Sequence, residues 1–312
     1  MRFIGFKYSG AQIPVSERPE IDQWVISRLN TTVKLMEEYF EEYEPTKAAR
    51  EMEKFTEELS NWYVRRNRRR FWKSGTTLDK TAAYQTLYEC LKDISRMMSP
   101  IAPFMGEWIY QRLNEVSELD EDSVHLSFFP TVEETAILRG LEHKMDMARL
   151  ISSIVLRIRN QIDVNVRQPL ARIILPIKDE AERQAILSVK HIILEEVNVK
   201  EIQFVDDDSG IVHKSAKPNY PLLGKRLGPK MKEVAGKVNE FDTETITNFE
   251  RQGFIDITLE HGESVRLDTD ELDIIRTGLE GWQVETERGL SVAVDTEISH
   301  ELRIEGITRE FV

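Results

Sequence analysis

Cysteine is almost missing from this chain: Cys90 is the only one in 312 residues. That excludes an intramolecular disulfide and a multi-cysteine zinc site, and it fits the reducing cytosol. Long apolar runs are missing as well. None approaches the roughly 20 residues of a membrane span, so no membrane partner is expected. Met1-Arg2-Phe3-Ile4-Gly5-Phe6 lacks the apolar stretch of a secretory leader. Neither Gly-x-Gly-x-x-Gly nor a Walker phosphate loop occurs. The six histidines (125, 143, 191, 213, 261 and 300) are scattered, with no His-x-x-His or His-Glu-x-x-His pair, so no metal site is expected. Cys90 lies on the apolar side of a helical pattern, where a lone thiol is inert. Asp206-Asp207-Asp208 lacks the alternating ligands of a calcium loop and reads as a turn closed by Gly210. Asn30-Thr31-Thr32 matches a glycosylation sequon by chance. No residue set here amounts to a catalytic site.

Charge is present in quantity and unevenly placed. The net charge is −13, and residues 240–312 account for all of it, with nineteen Asp/Glu against six Arg and no Lys. Two stretches run the other way: 61–80 carries seven cations and one Asp, and 214–237 carries seven Lys/Arg and one Glu. Local fields decide what docks where, so the acidic end should face away from any polyanion.

The first basic stretch is Asn61-Trp62-Tyr63-Val64-Arg65-Arg66-Asn67-Arg68-Arg69-Arg70-Phe71-Trp72-Lys73. Ala48, Met52, Phe55, Leu59 and Trp62 recur at helical spacing and predict a buried stripe. Continued at 100° per residue, the stripe meets Arg66, Arg70 and Lys73, while Arg65, Arg68 and Arg69 point elsewhere. A helix cationic all round is expected to project past its bundle. It would present guanidinium groups to an anion, with Phe71 and Trp72 available for stacking. Trp62 and Tyr63 read as core. Nucleic acid is the partner such a tip suits.

The remaining grammar predicts an α + α/β chain, an antiparallel helical bundle followed by a mixed α/β domain. Residues 1–16 form an entry segment and 17–122 the bundle. Residues 123–168 hold a crossover linker and a long helix, and 169–312 the α/β part. Pro19 opens a first helix lined by Ile21, Val25, Leu29, Val33, Met36 and Phe40. Glu44-Pro45-Thr46 separates it from the second, which ends in the cationic stretch. A third runs through Ala83, Leu87, Cys90, Ile94 and Met98. Pro103 opens a fourth, with Phe104, Trp108 and Leu113 on its apolar side. Thr131-x-x-Glu134 reads as a capping box before a helix running to about Asn160. Strands are expected at 171–175, 201–205 and 291–294, with a hairpin of 254–259 and 264–267 closed at His261-Gly262-Glu263. Helices are expected at 180–197, at 270–276 and from Ser299. Residues 214–230 read as a loop leading into a short helix.

Several motifs together resemble a known family. The basic stretch, followed through Gln85-Thr86-Leu87-Tyr88 to Met98-Ser99-Pro100-Ile101-Ala102-Pro103-Phe104, is similar to the anticodon-binding helical domain of class I aminoacyl-tRNA synthetases. Ser123-Val124-His125-Leu126 with the following aromatic and Pro130 is similar to the crossover of the isoleucyl, valyl and leucyl members. Asn61–Trp72, Val166-Arg167-Gln168-Pro169-Leu170 and Lys217-Pro218-Asn219-Tyr220 with Leu223–Gly228 resemble the isoleucyl branch. So do Val292–Glu297 and Glu305-Gly306-x-x-Arg309-Glu310. The family's His-Ile-Gly-His and Lys-Met-Ser-Lys-Ser signatures are absent, as is an editing domain.

The resemblance implies a cytoplasmic ligase whose tRNA-docking part lies here and which charges the tRNA for isoleucine. ATP and magnesium would belong to a catalytic domain elsewhere in the same polypeptide, and this chain needs no cofactor of its own. Arg65, Arg66, Arg68, Arg69, Arg70 and Lys73 are the expected phosphate contacts, and Trp72 the stacking partner for an unpaired base. Lys225, Arg226, Lys230 and Lys232 form a second candidate patch. Six phosphate contacts imply an affinity falling about a thousandfold between 50 and 200 mM salt. The competing readings are a valyl or leucyl parent, or a helical scaffold gripping an acidic protein.

Overall fold

The computed structural model describes residues 12–72, 74–75, 77–117, 121–177, 179–206, 212–259, 262–278 and 281–310. Two compact units divide the chain, Met1–His143 and Lys144–Val312. Residues 207–210 of the expected turn and most of the entry segment lie outside the described residues. What is described of the latter is a short 3₁₀ turn, Val15–Glu17.

The first unit is helical. Helix α1 (Glu20–Glu41) follows Pro19, with Glu20 and Asp22 placed well for the helix dipole. It buries Val25, Leu29, Val33 and Met36 at the expected spacing. Asn30 of the sequon is buried too, its amide donating to the Ile26 carbonyl at 2.9 Å. Pro45 starts α2 (Pro45–Glu58), which buries Ala48, Met52 and Phe55. Here the sequence expectation fails. Instead of running on to Lys73, the helix widens into a π segment, Leu59–Val64, breaks at Asn67 and resumes as α3 (Arg68–Trp72). Helix α4 (Leu78–Met98) is capped by Thr77, whose hydroxyl accepts from the Lys80 amide at 3.1 Å.

Helix α5 (Pro103–Asn114) begins as predicted and buries Leu113 of its expected apolar side, but its two aromatics face outward. Gly106, Tyr110 and Leu113 are its buried residues, while Phe104 is 91% and Trp108 58% exposed. The cause is a close approach: a Cβ on Gly106 would lie 2.9 Å from the Ser95 carbonyl oxygen of α4. Glycine alone lets the two backbones meet there, and that contact fixes which face turns inward. Glu107 then holds the crossover, accepting from the Ser123 hydroxyl at 3.0 Å and the Val124 amide at 2.9 Å. The expected capping box does not form. Glu134 pairs with Lys34 at 2.7 Å instead, and α6 (Arg139–Gln161) starts five residues later.

Buried ion pairs tie these helices to α1. Arg18, just ahead of it, grips Glu89 with both terminal nitrogens at 2.9 Å and also donates to Thr86. Arg28 pairs with Glu58 of α2 at 2.9 Å. Glu142 of α6 accepts from Ser27 and Thr31 at 2.6 and 2.7 Å.

In the second unit, β1 (Leu170–Ile177) pairs in parallel with β2 (Val199–Asp206) through α7 (Glu180–Ser188) and α8 (Lys190–Val197). The single helix expected at 180–197 is broken at Val189. Strands β7 (Trp282–Glu287) and β8 (Leu290–Asp295) complete a sheet ordered β2-β1-β8-β7. Beside it, β3 (Val212–Pro218) pairs antiparallel with β6 (Leu272–Gly278), and β4 (Phe254–Thr258) with β5 (Ser264–Asp268). Helices α9 (Tyr220–Leu227), α10 (Met231–Asn239) and α11 (Thr243–Gln252) pack on these strand pairs through Leu223, Val234, Val238, Ile246 and Phe249. Of the loop predicted over 214–230, the first residues are strand β3 and 220–227 are helix α9. The helix predicted at 270–276 is from Leu272 strand β6, with Ala216 opposite Ile274 and Pro218 opposite Leu272. Helix α12 (His300–Glu310) closes the chain's described part.

The Val166–Leu170 motif is a structural corner. Arg159, 1% exposed, donates to the carbonyls of Asn165, Gln168 and Asn198 at 3.0–3.1 Å. Asn198, left-handed at φ 49°, returns hydrogen bonds to the Val166 and Arg167 carbonyls. Burial pushes the Arg159 guanidinium down to about 10, so it stays cationic at neutral pH.

Candidate nucleic-acid interface

Around a regular helix, Arg68, Trp72 and Arg69 fall within about 100° of one another, while Arg70 and Phe71 fall opposite. The structure follows that division. Arg68 and Arg69 are exposed, and neither has a partner among the described residues. Trp72 is 73% exposed. Phe71, read from the sequence as a stacking group, is 5% exposed and packed edge-on against Tyr63 and Tyr84, with ring centroids 6.4 and 5.3 Å apart. Trp62 and Tyr63 are core, as expected.

The expectation of six projecting cations is corrected at Arg70. Its guanidinium forms a fork on the Asp22 carboxylate, 2.7 Å to Oδ1 and 2.8 Å to Oδ2, and pairs with Asp79 at 2.9 Å. Burial works against its charge, but the two carboxylates outweigh it and hold its pKa above the ordinary arginine value. Tyr63 donates to the same Asp22 at 2.8 Å, and burial, then that carboxylate, raise the phenol well above its usual range.

The sequence held a signal for this pair that periodicity alone passed over. Asp22 lies in one stripe with Ile26, Leu29 and Val33, and an acid on a buried stripe requires a buried cation. Arg70 lies on the continuation of the other stripe.

The flanking cations are partly engaged. Arg65 donates to the Asn61 carbonyl at 2.8 Å from an exposed position, and the Arg66 guanidinium lies 5.4 Å over the Trp62 ring. Lys73 lies outside the described residues. In the second patch Arg226 is paired with Glu271 at 2.8 Å and also donates to the Arg266 carbonyl. Lys230 is held by both oxygens of Glu263 at 2.6–2.7 Å. Lys232 is exposed, and the Lys225 side chain is outside what the structure describes. Sequence clustering placed these cations together without showing that two face carboxylates from the β4–β6 region.

The α3 tip lies inside a recognised domain. Residues 22–175 match the family described as the anticodon-binding domain of tRNA ligase. That stretch belongs to this family. The chain as a whole is 44% identical over 310 residues to an isoleucine–tRNA ligase of Bacteroides fragilis, covering 99% of this chain and 27% of that protein. The isoleucine–tRNA ligase of Bacteroides thetaiotaomicron is 42% identical over the same length. That of Clostridium novyi is 37% identical over 298 residues, 94% of this chain and 28% of the relative. The chain therefore spans about a quarter of the length of these relatives. It carries the anticodon-binding domain without the segments expected to handle ATP.

Proposed function

We propose that this chain is the tRNA-docking part of an isoleucine–tRNA ligase, and that α3 is its contact with the anticodon arm. One observation carries the reading: Arg68, Arg69 and Trp72 share an open face within the matched domain. Two guanidinium groups flanking an exposed indole suit an unpaired nucleotide, with phosphates on the cations and the base on the ring. Arg65 and Arg66 lie just ahead of the face, and Lys73 is a further phosphate contact. Lys225 and Lys232 form a lesser second contact. Arg226 and Lys230 meet phosphate only by exchanging a carboxylate for it, and Arg70 does not take part directly.

The domain contributes to charging by position. Binding energy remote from the reacting ends orients the acceptor end toward a catalytic domain of the same polypeptide. ATP and magnesium belong to that domain, and the whole enzyme is cytoplasmic. Among the described residues no helix is long and apolar enough to cross a membrane. Titrating the 312-residue chain with isoleucine and valine tRNAs tests the proposal. Tighter binding of the isoleucine tRNA supports it; equal affinity for both, or none, defeats it.

A further inference from the structure

A five-residue helix is too short to hold itself together in water, so something outside α3 must fix it. Every tie runs from its inward face. Arg70 binds the Asp22 carboxylate with two nitrogens, donates to both the carboxylate and the carbonyl of Asp79, and reaches the Asn67 side-chain oxygen at 2.9 Å. Asn67 is itself buried and donates to the Tyr63 carbonyl at 2.8 Å, which fixes the break between the π segment and α3. Tyr84 donates to the Phe71 carbonyl at 3.2 Å while its ring packs on Phe71. None of these ties uses Arg68, Arg69 or Trp72.

We propose that Asp22, Asn67 and Arg70 are positioning residues that set the Arg68–Arg69–Trp72 face in its binding geometry before RNA arrives. This rests on the α3 reading above. The network lowers the ordering cost of binding, because the backbone of α3 is already fixed when the nucleotide meets it. It needs the planar fork of arginine. Lysine at position 70 keeps the charge but cannot bridge two carboxylates and an amide at once.

The deciding variant is Arg70→Lys, with Arg68→Ala for comparison and Asp22→Asn as the reciprocal change. In the free chain, hydrogen–deuterium exchange of amides 65–72 should speed up at least tenfold in Arg70→Lys, with exchange of the α1 and α4 amides unchanged. In RNA titrations, Arg70→Lys should weaken binding about tenfold with an unchanged salt slope. Arg68→Ala should reduce the slope by about 0.7–0.9, the loss of one phosphate contact. Unchanged exchange at 65–72 overturns the proposal. So does a salt slope that falls as in Arg68→Ala, which would make Arg70 a direct contact. Global unfolding of Arg70→Lys also overturns it, since the network would then serve folding alone. If the unsubstituted chain binds no tRNA, the docking function fails while the exchange experiment still decides the positioning role.

Discussion

Replacing Arg70 by Ala strands the Asp22 carboxylate, which is fully buried, beside the Tyr63 hydroxyl alone. Breaking a buried pair in this way costs about 3–5 kcal/mol, so the variant should show a markedly lower melting temperature. Arg68 and Arg69 differ from it in the side of the helix they occupy, not in chemistry. The double change Arg68→Glu with Arg69→Glu touches nothing buried and should leave unfolding within about 0.5 kcal/mol of the parent, while tRNA binding is abolished. Thermal melts and filter binding on the same samples separate the two arginine classes. A double variant that melts early would show that the exposed pair is structural after all.

At the scale of elements, legibility tracked how local the deciding contact was. Helices α1 and α4 were readable because their apolar spacing lies within each segment, with Pro19 marking the start of α1. The face of α5 was not, because one glycine against the Ser95 carbonyl outweighs two large aromatics. Gly106→Ala should therefore force α4 and α5 apart and destabilise by about 1–3 kcal/mol, read from the denaturant midpoint. Strand β3 was not legible because Lys-Ser-Ala-Lys-Pro carries no strand composition. Its alternation of Ser215 and Lys217 outward with Ala216 and Pro218 inward gains meaning only once Leu272 and Ile274 lie opposite. The candidate site was legible as a cluster but not as a face, since the π segment and the Asn67 break reset the direction of everything after Val64.

Glu142 gives the first unit a pH response of known sign. Burial raises its pKa, but the Ser27 and Thr31 hydroxyls and the Arg28 and Arg139 cations outweigh that and leave it lowered. The unfolded chain, with an ordinary glutamate near about 4.3, thus takes up the proton first as pH falls. The stabilisation is complete above that value and disappears as pH drops through the lower, folded one. Glu142→Gln should lower the melting temperature at pH 7 and flatten its decline below about pH 4. A variant that keeps the parent's acid limb would place the titration elsewhere.

For the molecule as a whole, a net charge of −13 and a polyanionic partner are compatible because charge is segregated: the acidic excess lies in residues 240–312 and the open cations on α3. How many cations are open then fixes the salt response. Of the six cations expected to meet phosphate, Arg70 is taken up by Asp22, Arg65 donates to the Asn61 carbonyl and Arg66 lies over Trp62. Arg68 and Arg69, with Lys73, therefore leave two or three contacts; in the second patch Arg226 and Lys230 are held by Glu271 and Glu263. At a slope of about 0.7–0.9 per contact, affinity should fall about ten- to fortyfold between 50 and 200 mM salt. Titration at three salt concentrations measures the slope directly. A thousandfold loss would mean that the paired cations let go of their carboxylates on binding, so that the ion pairs of the second unit act as a reserve of RNA contacts. A flat response would take the phosphate backbone out of the interaction and leave stacking on Trp72 as its whole basis.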